Sequence, residues 1–146
     1  MNARSNDFTR AFTLLELMIA IAIAATLAVF AVPSYQSHVA RSHRVDAASA
    51  LYRAAQFVEA GGSNDAVTLP VGLDQSPSFG TAVYRLRALP ADDTNGGYSV
   101  EARPVETGPM RDDLCGTFIL DATGLRINRG ADDALVKNAN ECWNTR

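Results

Sequence analysis

The chain has 146 residues, 13 basic and 16 acidic side chains and a formal charge of −3, which leaves room for one compact domain and one extra element. A weakly acidic protein has no general electrostatic attraction for nucleic acid or anionic lipid. Near-average composition excludes both wholesale disorder and a multi-span membrane protein.

The chain opens with a short polar leader, residues 1–11, containing Arg4, Arg10 and Asp7. Phe12 to Val32 follows, and Leu17 to Val32 carries no charge. As a helix this stretch spans roughly 31 Å, enough to cross a hydrocarbon core of about 30 Å. Arginines before the span and none immediately after it place the leader in the cytoplasm and the body outside. An ordinary secretory signal would be cut after the apolar run, and Val29-Phe30-Ala31 offers a small-residue site for that. Glu16 argues the other way. A carboxylate at membrane depth is costly and usually has a partner, although one near the edge can also snorkel to the interface.

Helical periodicity continues past Pro33, which removes an N–H and should kink the helix or loosen the preceding turn. Val45, Ala48, Leu51, Tyr52, Ala55 and Val58 recur at helical spacing, with Arg41, Arg44, Arg53 and Glu59 on other faces. Gly61-Gly62-Ser63-Asn64 is a stop signal, so one helix is expected from about Phe12 to Ala60. Residues 61–80 then read as a loop, punctuated by Pro70, Gly72, Pro77 and Gly80.

The period next changes to two. Within Ala82–Leu89, Tyr84, Leu86 and Ala88 share one face, with Arg85 and Arg87 on the other. Within Tyr98–Arg103, Tyr98, Val100 and Ala102 point inward and Ser99, Glu101 and Arg103 outward. Thr117–Asp121 and Leu125–Asn128 flank a hairpin turn at Ala122-Thr123-Gly124. The fold class is α+β: a long helix packed on an antiparallel sheet of about four strands, whose other face is wet. The tail from Arg129 to Arg146 reads as polar and irregular.

Two cysteines, Cys115 and Cys142, without histidine or cysteine at ligand spacing do not make a zinc site. In a body outside the cytoplasm a disulfide is the natural reading, with two buried thiols as the alternative. Such a bond would stabilise the fold by about 3–4 kcal/mol.

The run Ala11-Phe12-Thr13-Leu14-Leu15-Glu16, its basic leader, and an apolar segment ending in Val32-Pro33-Ser34-Tyr35-Gln36 together resemble the type IV pilin family. Cys115-Gly116-Thr117 and Cys142-Trp143 are similar to PilE-type minor pilins. The resemblance implies a leader over 1–11, a membrane and assembly half of the helix over 12–33, and a head over 34–146 closed by a C-terminal disulfide loop. It also implies a prepilin peptidase that cuts between Ala11 and Phe12 and N-methylates Phe12. The family's usual residue before the cut is glycine. Alanine is the next smallest side chain, so a site that excludes bulk can still take it. The protein would wait in the inner membrane with its head in the periplasm, then enter an extracellular fibre through the assembly machinery.

Glu16 then acquires a role. Its carboxylate can meet the new Phe12 amine of a neighbouring subunit, setting the register of a staggered helical bundle. Ala20, Ala22, Ala24, Ala25 and Ala28 allow such helices to approach closely.

The expected function is therefore a structural minor pilin supporting fibre assembly, twitching motility or adhesion, with no cofactor and no catalytic or metal site. His38 and His43 lie roughly 140° apart on a helix and cannot share a metal. The pairs Asp92-Asp93, Asp112-Asp113 and Asp132-Asp133 fit turn caps rather than a calcium loop. One alternative is a DNA-binding minor pilin, using Arg126, Arg129 and Lys137 against phosphates. Interleaved Asp121, Asp132, Asp133 and Glu141, and a cross-strand pairing of Glu101 with Arg85 or Arg87, favour a mixed solvated surface instead. A pseudopilin of a secretion machine is the other alternative.

Overall fold

The computed structural model describes residues 12–61 and 68–144, and the leader with its Ala11 cleavage position lies outside them. The element order is α1 (Leu14–Glu59), β1 (Gln75–Ser76), β2 (Tyr84–Leu89), β3 (Ser99–Pro104), β4 (Thr117–Asp121), β5 (Arg126–Arg129) and α2 (Ala139–Trp143). Two compact units divide the chain between Ser37 and His38.

The first unit holds the apolar part of α1. Thr13 begins it: its hydroxyl accepts a hydrogen bond from the Glu16 amide at 3.2 Å, as an N-cap side chain does. Thr13-Leu-Leu-Glu16 is thus also a capping-box sequence, which gives Glu16 a local reason to stand in the first turn. Every residue from Phe12 to His38 is exposed, large apolar side chains included. Pro33 lies inside the helix, with helical residues on both sides.

From His38 onward α1 belongs to the second unit, and its buried residues are Ala47, Ala50, Leu51, Ala54 and Ala55. The expected stripe is therefore rotated. Tyr52 is exposed, Val45, Ala48 and Val58 are half-buried, and three alanines outside the expected set take the centre. Alanine carries little hydrophobic signal, yet its small side chain lets a helix lie close to a sheet. The helix ends as expected: Gly61 adopts a φ of 86°, and its amide bonds to Val58 O at 3.1 Å.

The sheet has five strands in the order β1-β2-β3-β4-β5, each antiparallel to its neighbour. The additional strand is β1, two residues drawn from the segment that sequence reads as loop; it is too short to show an alternation. Tyr84, Leu86, Val100, Ala102, Phe118 and Leu120 form the inner face and join the α1 alanines in the core. Tyr84 packs edge-on against Phe118, with centroids 5.9 Å apart. Tyr98 Oη donates to Glu59 Oε1 at 2.7 Å, fastening the end of α1 to the start of β3. Burial and that bond push the Tyr98 phenol up to about 12.

The other sheet face is drier than expected. Ser99, Glu101, Ile119 and Asp121 are all buried. Glu101 stands directly opposite Arg87 on β2 and Ile119 on β4, and it pairs with Arg87 as a salt bridge. The tail also departs from the irregular expectation. Arg129 bridges to Leu135, and α2 buries Cys142 and Trp143. A five-residue helix shows barely one turn of period, so sequence patterning does not reveal it. The Cys115–Cys142 disulfide is formed, tying α2 to the segment that leads into β4.

Candidate functional site

Strand register decides which cations meet on the outer face. Gln75 pairs with Arg85, Arg85 with Arg103, and Thr117 with Arg129. Arg103 follows Ala102, whose partner is Phe118, so the antiparallel register carries Arg103 towards Thr117. Arg85, Arg103 and Arg129 therefore fall in one row across the sheet. With strands about 4.8 Å apart, the row from β2 to β5 covers roughly 14 Å. All three side chains are exposed.

This row is unfavourable for the sheet alone, because like charges placed directly opposite destabilise a strand pair. Arg85 is partly offset by Asp74 at 3.7 Å and Gln75 at 3.2 Å. Among the described residues, no carboxylate lies within ion-pair distance of Arg103 or Arg129. The adjacent row differs, since Arg87 is neutralised by Glu101.

The expected trio of Arg126, Arg129 and Lys137 is divided by the fold. Alternation along β5 puts Arg126 with buried Asn128 on the inner side, and Ile127 with Arg129 on the outer. The Arg126 guanidinium lies 5.7 Å from the ring centres of both Tyr52 and Trp143, a cation–π placement. Lys137 is exposed in the loop after Val136. Sequence reading noted Arg85 and Arg87 on one face but missed Arg103 as their neighbour, because the signal lies in pairing register rather than in any local pattern.

The acidic pairs mainly shape loops. Asp92 Oδ1 accepts bonds from the Thr94 amide and hydroxyl and the Asn95 amide, at 2.7, 2.8 and 2.9 Å. Those bonds, led by the Thr94 hydroxyl, hold its carboxyl below the usual range. Asp132 accepts from the Ala134 amide at 3.2 Å. Asp113 pairs with Arg44 of α1, and Asp112 with Arg111. No group of three or more potential metal ligands occurs among the described residues. Arg103 and Thr117 of the arginine row also line a cleft of about 440 Å³, together with Arg111 and the acidic Glu106, Asp112, Asp113 and Asp133.

A helix bearing a bare apolar half and an amphipathic half, the latter packed on an antiparallel sheet with a C-terminal disulfide, defines a pilin-type subunit. The family model "Type IV minor pilin ComP, DNA uptake sequence receptor" matches residues 33–119, and "Prokaryotic N-terminal methylation motif" matches residues 8–32. The chain belongs to the type IV minor pilin ComP family. A comparison with curated proteins gives no match. The methylation motif and apolar helix fit anchoring in the inner membrane before assembly into a pilus. Membership implies assembly with other pilins and processing by a prepilin peptidase, in a family of structural proteins.

Proposed function

We propose that this minor pilin enters a type IV fibre through the apolar half of α1, and that its head holds duplex DNA against the outer face of the sheet. The observation that carries the second half is the row Arg85–Arg103–Arg129, which among the described residues lacks enough carboxylate ion-pair partners to neutralise it. A family description naming a DNA uptake sequence receptor supports the same reading. Each strand of duplex DNA carries one phosphate for every 3.4 Å or so of helix axis, so a row of roughly 14 Å can meet more than one of them. Phosphate contacts position a protein on DNA; they do not read sequence. The row therefore accounts for affinity.

The assembly half rests on exposed apolar side chains from Phe12 to Val32 and on Glu16 within the first turn. Cleavage before Phe12 would supply the amine that Glu16 of a neighbour can pair with. The alanine at position 11 is small enough for that processing.

Titration of a labelled duplex with the detergent-solubilised mature chain tests the DNA reading. Affinity should fall steeply with salt, and Arg85→Gln/Arg103→Gln/Arg129→Gln should weaken binding and flatten the salt slope by up to about three phosphates' worth. Arg126→Gln should leave DNA affinity unchanged, since that guanidinium is committed to Tyr52 and Trp143. Equal binding by the wild type and the triple variant would remove the row from the account.

A further inference from the structure

Asn128 is 1% exposed and sits between the neighbourhoods of the two cysteines. Its Nδ2 donates to the carbonyl oxygen of Cys115 at 2.8 Å. Its Oδ1 accepts from the indole Nε1 of Trp143, the residue after Cys142, at 2.6 Å. An indole N–H only donates and a carbonyl only accepts, so the amide orientation is fixed by chemistry. The Asn128 carbonyl oxygen also accepts from the Val136 amide at 2.9 Å, holding the chain that leads to α2. The Trp143 ring packs edge-on against Phe118 and Tyr52, with centroids at 5.2 and 6.5 Å. None of these contacts involves a sulfur atom.

We infer that Asn128 and Trp143 form a clasp that seats α2 before the disulfide exists, so that Asn128 is the positioning residue for closure of Cys115 onto Cys142. The two cysteines are 27 residues apart in sequence, and closing that loop from an open chain costs entropy. A side chain bonded beside both cysteines meets that cost in advance and raises the effective concentration of one thiol at the other. In oxidation, one protein thiolate attacks a disulfide-bearing oxidant such as oxidised glutathione, forming a mixed disulfide and expelling one thiolate. The second protein thiolate attacks the protein sulfur of that mixed disulfide and expels the other. Two electrons pass from the protein sulfurs to the oxidant, and the two thiol protons end on its released thiols. The clasp acts on the second, intramolecular step. It favours closure within one chain over disulfides between copies.

Trp143 is the chain's single tryptophan, so its emission reports on the clasp directly. In the full detergent-solubilised chain, reduction of the wild type should leave emission at its buried wavelength. Reduced Asn128→Leu should shift to the red, whereas oxidised Asn128→Leu should match the oxidised wild type. With oxidised glutathione, followed by alkylation quench, the reduced variant should close on the order of tenfold more slowly and accumulate mixed disulfide, as expected for losing two buried neutral hydrogen bonds. Should Asn128→Leu fail to fold, Trp143→Phe keeps the aromatic packing, removes the N–H and should slow closure in the same direction. A red shift in the reduced wild type, or unchanged closure rates in the folded variants, would overturn the inference.

Discussion

The Asp121 carboxylate organises the whole β4–β5 turn. Its Oδ1 accepts from the Thr123 hydroxyl and amide and from the Leu125 amide, at 2.6, 2.9 and 2.9 Å. Burial opposes its charge, but the bonds from Thr123 and Leu125 outweigh that and hold the carboxyl below its ordinary 3.8. A carboxyl depressed in the folded state contributes stability that is present above the ordinary value and lost as pH falls through the folded one. Asp121→Asn should therefore lower the thermal midpoint at neutral pH and lessen its decline below about pH 4, which parallel melts at several acid pH values would measure. Gly116 is a second residue with no substitute. Its φ is 53°, and an added Cβ would lie 2.1 Å from the Arg129 carbonyl oxygen. Gly116→Ala should cost about 2 kcal/mol or more in a denaturant titration, because either the β4 entry or the end of β5 must move.

The elements were unequally legible. The two six-residue strands with alternating apolar residues, β2 and β3, the β4–β5 turn and the helix stop at Gly61 stand in the sequence because each rests on a local pattern. The α1 contact face did so only in part: Leu51 and Ala55 of the expected stripe are buried, but the rest of its centre is alanine, while Val45, Tyr52 and Val58 flank it. β1 and α2 are each too short to repeat a readable pattern, and tertiary partners hold them: β2 for the first, the disulfide and Asn128 for the second. The candidate DNA surface was half legible. Arg85 and Arg87 announce a basic strand face, but only register brings Arg103 and Arg129 into line and cancels Arg87 with Glu101. Two predictions belong at this scale. Cys142→Ser should lower stability by about 2–4 kcal/mol, read from chemical denaturation. Intact mass should place the mature N-terminus of α1 at Phe12 with one added methyl group. A chain beginning at Val32 would instead mean an ordinary signal peptide.

For the molecule as a whole, the proposed function gives the two units separable tasks. The large apolar side chains of the first half of α1 are exposed among the described residues, as suits a segment anchored in a membrane before assembly with other pilins. The head keeps its own core and its own disulfide. Glu16→Ala should thus leave the head folded and the chain inserted, yet reduce incorporation into fibres, because under the proposed pairing a neighbour's terminal amine loses its counter-charge. Quantification of the subunit in sheared fibres against membranes measures this. The arginine substitutions should do the reverse, leaving incorporation intact. Both tasks meet in one measurement: labelled duplex DNA retained per incorporated subunit on sheared fibres at low and high salt. Fibres carrying the wild type should retain DNA at low salt and release it as salt rises, while fibres with equal amounts of the Arg85→Gln/Arg103→Gln/Arg129→Gln subunit should retain little at either. Equal retention by both fibres would contradict a DNA-holding outer sheet face.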